Sequence, residues 1–329
     1  MRSLFVLAAV YTLIFPWQTS SLASNGRSKG QDVSRGTAAV SSQCPGPSFS
    51  EFASSNFNIV HDADETEAEK IAQLLELTYQ QFQTTFKSRG FELRNPEDKL
   101  MWVCFSDCGR FNSYALEADG MDLSWLSGYY SAKTNVVAII KPHARAYLQE
   151  NQPPARDGDT GGNILAITSV PGAHPDAVKI IHEAAHQFAF NTGLQKRRVM
   201  YPLWLSEGLA TSFENGQIFG GDDVRMQRLV EMHHQGKLIP LNEFVTMTRL
   251  PASSQTHKDI YAQACGLFNF LCKHRSDNLR SYLAELYKLE PGRRSTQVLH
   301  REFISAFGDI GKLEGSWRQC IQMSCAIEP

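Results

Sequence analysis

Two histidines and a glutamate stand close together in the segment KIIHEAAHQF, residues 179–188. His182 and His186 are four residues apart, so on an α-helix they lie about 40° apart on one face, one turn from each other. That spacing allows both imidazoles to reach one Zn²⁺ ion. Glu183 points to the side, where it can act on a water molecule instead of binding the metal. The pattern predicts a metal-dependent hydrolytic site; the alternative is a helix with two ordinary polar histidines.

A catalytic zinc ion also needs a third protein ligand and one open coordination position. We expect the ligand from YPLWLSEGLATSFE, residues 201–214, because Glu207 lies there on the next predicted helix. A carboxylate on a helix rich in apolar residues is unfavourable unless it is paired or bound to a metal. We therefore predict one Zn²⁺ per chain, held by His182, His186 and Glu207. A solvated glutamate near a helix start is the alternative for Glu207.

Together, HEAAHQFAFN (182–191) and LWLSEGLATSFE (203–214) resemble the gluzincin metallopeptidases. In this peptidase MA-like superfamily, H-E-x-x-H is completed by a glutamate one helix later. The similarity is greatest to aminopeptidase-type members and to uncharacterised exported bacterial members, over about residues 178–214 and, more weakly, 258–272. The resemblance implies a gluzincin-like fold, the same three zinc ligands, and Glu183 as the base that takes a proton from the attacking water.

The resemblance also implies roles for three residues around the metal. Tyr261, in DIYAQACGLFNFL, matches a tyrosine whose phenol donates to the oxyanion formed when water attacks a carbonyl. A core tyrosine on an apolar helix is the alternative. Asn191 matches the family pattern five residues after the second histidine. Thr211 stands where the thermolysin branch has an aspartate, and its hydroxyl is expected to orient His182, less strongly than a carboxylate.

A peptide or protein substrate follows from the same resemblance. The aminopeptidase branch has a G-x-M-E-N segment whose glutamate holds the free amine of the substrate, and this chain has no such segment. Endopeptidase activity is therefore favoured. The segment at 127–140 is a candidate edge strand for pairing with an extended peptide, with Tyr129 and Tyr130 as substrate-binding residues. An ordinary sheet strand is the alternative.

A rival function is a non-catalytic exported binding or adhesion domain that retains a zinc site. Glu183 distinguishes the two functions, because a purely structural zinc site needs no base beside the metal. Its presence together with Tyr261 favours an enzyme.

The elements that would position these residues indicate an α+β fold. Residues 57–60 (FNIV) and 99–105 (KLMWVCF) are typical of strands, 127–140 is typical of two strands joined by a polar turn, and 65–87 has a helical apolar stripe. Further helices are predicted at 176–191, 203–214, 223–235, 258–274, 277–289, 294–306 and 312–322. A mixed N-terminal half with a small sheet is thus followed by an all-helical half that carries the H-E-x-x-H helix.

The N-terminus has the features of an export signal. Arg2 precedes an apolar run from Leu4 to Trp17 that is too short to span a bilayer comfortably, and small residues follow near Ala23. We predict a signal peptide at 1–23, a disordered linker at 24–43, an α/β subdomain at 44–175 and a helical zinc-binding catalytic subdomain at 176–329. The protein is expected to be periplasmic or extracellular; the alternative is a tether formed by an uncleaved N-terminal segment.

The charge of the chain limits its partners. There are 32 Lys+Arg residues against 34 Asp+Glu residues, and this near balance argues against a protein that binds nucleic acid or an anionic membrane. No segment after the apolar run is long and apolar enough to cross a membrane. We therefore expect no nucleic-acid partner and no stable membrane insertion after signal cleavage.

Seven cysteines would be able to form disulfides in an oxidising compartment. Cys265 and Cys272 share a predicted helix, where seven residues place them about 10 Å apart, beyond the reach of a disulfide. The local candidates for pairing are Cys104 with Cys108 and Cys320 with Cys325.

Overall fold

The computed structural model describes residues 49–62, 64–141, 175–214, 224–251 and 256–325. The predicted signal peptide and linker lie outside these ranges, so both stay predictions. Within the described ranges, no helix has the length and apolar character needed to cross a membrane.

The described part of the N-terminal half contains a five-stranded mixed sheet in the order β1-β2-β3-β5-β4. The inner neighbours β2, β3 and β5 are parallel, whereas β1 and β4 are antiparallel strands at the two edges. The strands are β1 (Ser50–Ala53), β2 (Phe57–His61), β3 (Leu100–Phe105), β4 (Gly128–Ser131) and β5 (Val136–Ile140). The two strands predicted within 127–140 are confirmed as a hairpin, and Asn135 adopts a positive φ of 62° in its turn.

Helices make up most of the chain after residue 175, which confirms the predicted α+β fold. The predicted helices are present, with ends that differ by three residues or fewer. In chain order the described helices are α1 (Glu65–Lys87), α2 (Cys108–Asp119), α3 (Pro175–Asn191), α4 (Leu203–Phe213), α5 (Val224–His234), α6 (Leu241–Phe244), α7 (His257–His274), α8 (Ser276–Lys288), α9 (Thr296–Phe307) and α10 (Ile310–Cys325).

One apolar core joins the sheet to the helices that follow it. The ring of Phe188 on α3 contacts Phe57 of β2 and both Tyr79 and Phe82 of α1, with ring centroids 6.0, 5.1 and 5.4 Å apart. Phe82 also packs against Phe213 of α4 at 5.0 Å. All five rings are buried. Because aromatic burial contributes strongly to stability, this cluster fixes α3 and α4 relative to the sheet. The predicted subdomain boundary at 175/176 stays a prediction.

The structure tests one of the two local cysteine pairings considered from the sequence. Cys104 and Cys108 are both free thiols, so the local pairing between them is wrong. Cys104 is buried at the end of β3, whereas Cys108 is exposed at the start of α2. Cys272 is also a free thiol and does not pair with Cys265, as expected. The side chain of Cys325 lies outside the described part of the structure.

Candidate metal centre

The two histidines of α3 are buried and face the same side of their helix. Their side chains are 0% and 2% exposed for His182 and His186, respectively. The ring centroids lie 4.8 Å apart, and the two Nε2 atoms are separated by 3.2 Å. Two imidazole nitrogens at this separation can both reach one ion.

Glu207 of α4 completes a group of three ligand atoms. Its Oε2 lies 3.4 Å from Nε2 of His182, and its Oε1 lies 3.6 Å from Nε2 of His186. These distances exceed the 2.7–3.2 Å usual for an N–H···O hydrogen bond. They match the edge of a tetrahedron with metal–ligand bonds of about 2.1 Å, which is about 3.4 Å. The buried group of His182, His186 and Glu207 is therefore able to hold a metal ion.

The carboxylate of Glu207 is suited to this role electrostatically. Burial raises its pKa, but the imidazoles of His186 and His182 outweigh that effect and bring the pKa down to about 2. Glu207 is consequently a carboxylate at neutral pH, the form that binds cations. Together, one carboxylate and two imidazoles are a common donor set for zinc.

Glu183 lies beside this group and outside it, as the motif predicts. Its side chain is buried, and its Oε2 accepts a hydrogen bond of 2.8 Å from the backbone N–H of Tyr130 on β4. Burial raises the pKa of Glu183, while His182 and His186 oppose that shift. A buried carboxylate with a raised pKa is a better proton acceptor than an exposed one. The edge of the sheet therefore fixes the orientation of a candidate base.

Glu214 is a site residue that the sequence analysis missed. Its Oε1 lies 2.6 Å from Nδ1 of His182, and the residue is 1% exposed. Thr211, for which we expected this role, instead donates its hydroxyl hydrogen bond to the carbonyl of Glu207 on its own helix at 2.5 Å. Helical periodicity could have identified Glu214 from the sequence, because a residue seven positions after Glu207 lies on nearly the same helical face two turns later. A carboxylate on Nδ1 holds the other ring nitrogen toward a metal.

Asn191 connects the end of α3 to the β4–β5 turn. Its side-chain amide donates to Oδ1 of Asn135 at 2.8 Å and accepts from Nδ2 of the same residue at 2.9 Å. One turn earlier, Gln187 donates to the carbonyl of Asn135 at 3.1 Å and accepts from the indole of Trp102 at 2.8 Å. With Glu183, these residues form a polar stripe on α3 that holds the helix against the hairpin. Asn191 thus positions the helix through hydrogen bonds to Asn135 and to the carbonyl of Gln187.

Tyr261 lies next to the metal-ligand group. It is on the first turns of α7, it is buried, and its ring centroid is 6.3 Å from that of His182 in an edge-to-face arrangement. The structure therefore brings this residue from a distant part of the chain to the side of the candidate centre.

The side chains of Tyr129 and Tyr130 are engaged within the protein. The hydroxyl of Tyr129 donates to Oδ2 of Asp119 at 2.8 Å, and that of Tyr130 donates to Oδ1 of Asn135 at 2.9 Å. Both residues are buried. What β4 directs toward the candidate centre is the backbone N–H of Tyr130 rather than either phenol ring, and their predicted role in substrate binding stays a prediction.

A family model described as a protein of unknown function (DUF1570) matches residues 176–292. That segment contains the three ligand residues together with Glu183, Glu214 and Tyr261. No curated protein sequence matches the chain.

Proposed function

We propose that this protein is a zinc-dependent metallopeptidase of the gluzincin type that hydrolyses internal peptide bonds. The observation that supports the proposal most directly is the geometry of the ligand group: the two imidazole Nε2 atoms lie 3.2 Å apart, and each lies 3.4 or 3.6 Å from an oxygen of the Glu207 carboxylate. A second buried carboxylate, Glu183, stands beside them without being one of them. A binding site for zinc needs only the three ligand residues, whereas hydrolysis also needs a base such as Glu183 beside them.

His182, His186 and Glu207 would hold the ion and leave one coordination position open. When bound, Zn²⁺ acts as a Lewis acid that lowers the pKa of water toward about 7 and polarises a carbonyl. Glu214 contributes by accepting from Nδ1–H of His182, which selects the imidazole tautomer whose Nε2 lone pair is available. The protein thereby presents a preorganised set of donors.

Glu183 would act as the general base and then as the general acid. It takes the proton from the attacking water and passes it to the leaving amine. The hydrogen bond from Tyr130 N–H keeps one carboxylate oxygen in place, which leaves the other oxygen to bind the water. Tyr261 would donate its phenol hydrogen to the oxyanion that develops as the carbonyl is attacked, a contribution made mainly in the transition state.

The edge strand β4 would orient the substrate. Among the described strands it pairs with β5 alone, and Tyr130 N–H on its other side is directed toward Glu183 of α3. A peptide that pairs with the edge of such a strand runs along it in an extended form. This pairing would place the scissile bond near Glu183. Because the chain lacks the G-x-M-E-N segment that holds a free amine, the proposal favours an endopeptidase over an aminopeptidase.

Metal analysis and peptide cleavage, carried out on the same purified protein, test the proposal. We expect about one zinc per chain and cleavage within a mixed peptide library. Glu183→Gln should retain the zinc and lose at least about 100-fold in cleavage rate, because it removes the proton acceptor while keeping the shape of the side chain. Glu207→Ala should lose zinc.

The rival function, an exported binding domain with a retained zinc site, gives a different result in the same experiment. It predicts the same zinc content but no peptide cleavage by the wild-type protein. Undiminished cleavage by Glu183→Gln would instead remove Glu183 from the mechanism.

We also infer that the protein is exported to the periplasm or the extracellular space. The basis is the basic residue, apolar run and small residues of positions 1–23. Sequencing the N-terminus of the protein recovered from the cell exterior tests this inference. A chain that still begins with Met1 and is found attached to membranes would support the uncleaved tether.

A further inference from the structure

Arg225 occupies a position on α5 that would ordinarily hold an apolar residue. It lies four and seven residues before Leu229 and Met232, so the three share one face of the helix. Leu229 and Met232 are each 1% exposed and belong to the core, and the side chain of Arg225 is 20% exposed. Arginine is rarely buried to this extent without a partner.

One partner of Arg225 is Glu214, and this pair connects Arg225 to the candidate metal centre. Nη2 of Arg225 forms an ion pair with Oε2 of Glu214. The other oxygen of the same carboxylate, Oε1, lies 2.6 Å from Nδ1 of His182. A guanidinium, a carboxylate and an imidazole from three different helices therefore form a continuous series.

The surroundings of Arg225 confirm that it lies close to the site. Burial lowers the pKa of the guanidinium, and the nearby side chains of Cys265, Tyr261 and Glu207 act against that shift. Tyr261 and Glu207 are the proposed oxyanion donor and a proposed zinc ligand, so α5 approaches the centre from the side of α4 and α7.

The position of α5 does not depend on this ion pair alone. Leu229 packs into the space left by Gly266 of α7, where a Cβ atom would come within 2.2 Å of Leu229 Cδ2. Arg228 also binds Asp259 of α7, with Nε 2.6 Å from Oδ1. The packing of Leu229 against α7 holds the helix in place and aims Arg225 at Glu214, whereas an ion pair as exposed as Arg228–Asp259 contributes little to that position.

We propose that Arg225 is a positioning residue for the metal centre, acting through Glu214 to hold His182 in the orientation and tautomer that bind the ion. Glu214 is almost completely buried, so replacing Arg225 would remove a cation that balances its charge beside His182. The carboxylate would then be free to turn away from Nδ1. The proposal rests on the metal binding of the proposed function, but it does not require peptide hydrolysis.

The zinc dissociation constant of the full chain, measured by competition with a chromophoric chelator, tests this role. We expect Arg225→Met, which keeps the length of the side chain without its charge, to weaken zinc binding by about 10- to 100-fold. Arg225→Lys should recover much of the loss. Arg228→Met is the matched control: it removes an arginine and an ion pair from the same helix, and it should leave the dissociation constant unchanged.

The visible spectrum of the Co²⁺-substituted protein gives a second readout, because its absorption bands respond to ligand geometry. We expect the bands to change in Arg225→Met and to be restored in Arg225→Lys. A purely structural role would lower the stability of the metal-free protein in Arg225→Met and would leave these bands unchanged.

A double-mutant cycle with Glu214→Gln tests whether Arg225 affects zinc binding through Glu214. If Arg225 acts through Glu214, Arg225→Met should weaken zinc binding no further in the Glu214→Gln background. Full additivity of the two changes, wild-type affinity in Arg225→Met, or equal losses in Arg225→Met and Arg228→Met would each overturn the proposal. A wild-type protein that binds zinc but cleaves no peptide would refute the peptidase function and leave this inference standing.

Discussion

Nδ1 of His182 lies 2.6 Å from Oε1 of Glu214, a residue that is seven positions beyond the third candidate ligand on the same helical face. An imidazole held in this way presents its other nitrogen to a metal in a fixed direction. Glu214 is nearly inaccessible to water, so its orientation is determined by His182 and Arg225.

Replacing Glu214 should therefore affect metal binding, whereas replacing Thr211 should not. We expect Glu214→Ala to weaken zinc binding by about 10- to 100-fold, because His182 loses the acceptor on Nδ1. Thr211→Ala removes a hydroxyl that donates to its own helix, and it should leave the dissociation constant near that of the wild-type protein. Isothermal titration of the metal-free proteins measures both. Equal losses in the two variants would show that the conformation of α4, rather than the carboxylate, determines the affinity.

Local sequence patterns were sufficient to predict the group of three residues that is able to hold a metal ion. His182 and His186 are related by helical periodicity, and Glu207 lies on the next helix with its own apolar stripe, so each was predictable within one element. The residue that contacts Nδ1 of His182 was not predictable in this way. Both Thr211 and Glu214 lie on the required face of α4, and the choice between them depends on side-chain length and on Arg225 from a separate helix. Such a choice requires the tertiary structure.

Short elements were also missed, for a different physical reason. The strand at Ser50–Ala53 and the helix at Leu241–Phe244 each have four residues, too few to display a period of two or 3.6. The hairpin was predicted, but the hydrogen bond from Tyr130 N–H to Glu183 was not, because the sequence does not determine how α3 lies on the edge of the sheet. Most long periodic segments were predictable, but α2 (Cys108–Asp119) was missed, because only Phe111, Tyr114 and Ala115 of its twelve residues are buried. Contacts between elements were not predictable.

The contact between α4 and α7 depends on Gly208, which directly follows Glu207. A Cβ atom at Gly208 would lie 2.4 Å from the carbonyl oxygen of Ala264 and 2.7 Å from Cβ of Phe268. Because these are backbone and near-backbone atoms, Gly208→Ala should force the two helices apart. We expect the free energy of unfolding to fall by about 1–3 kcal/mol and zinc binding to weaken as Glu207 shifts.

Gly315 is the matched control for this substitution. It lies within α10, it is exposed, and a Cβ atom there would meet no other atom within 4 Å. Gly315→Ala should raise the free energy of unfolding by about 0.5–1 kcal/mol, because alanine has the higher helix propensity. Urea unfolding of both variants measures the two changes. If both substitutions changed the free energy of unfolding in the same direction, that result would contradict the close approach at Gly208.

Cys104 should make the protein less stable at high pH. Burial, aided by the charge of Asp62, raises the pKa of this thiol to about 12 from its ordinary value of 9.0. The folded state therefore keeps the proton that the unfolded chain loses, so the stabilisation is complete below about pH 9 and declines as the pH rises toward 12. Between pH 8 and pH 10.5 this thiol alone should reduce the free energy of unfolding by about 2 kcal/mol.

Urea unfolding at the two pH values, with Cys104→Ala for comparison, measures this contribution. The variant should be less stable than the wild-type protein at pH 8 because it leaves a small cavity, but its stability should decline less between pH 8 and pH 10.5. Cys108→Ala is the control, since the Cys108 thiol is exposed to water in the folded state. An equal decline in the wild-type protein and in Cys104→Ala would show that other buried groups, such as Tyr201 and Cys272, account for the effect.

The hydrogen bond between Tyr130 N–H and Glu183 can be removed without breaking the sheet. The N–H of Tyr130 points away from β5, so a proline at this edge position removes the donor to Glu183 but no hydrogen bond of the strand ladder. Tyr130→Pro and Tyr130→Ala both lose the ring stacked on Phe190 and the hydroxyl bound to Asn135. The difference between the two variants therefore reports on the N–H group.

We expect Tyr130→Pro to cleave peptides about 10- to 100-fold more slowly than Tyr130→Ala, which corresponds to the loss of one hydrogen bond to a charged group, about 1.5–3 kcal/mol. Both variants should keep their zinc, because neither change touches a ligand. The measurement is kcat/KM on one peptide, with the zinc content of each sample determined in parallel. Equal rates at equal zinc content would mean that the sheet edge does not orient the base, and that Glu183 is held in its catalytic position by α3 alone.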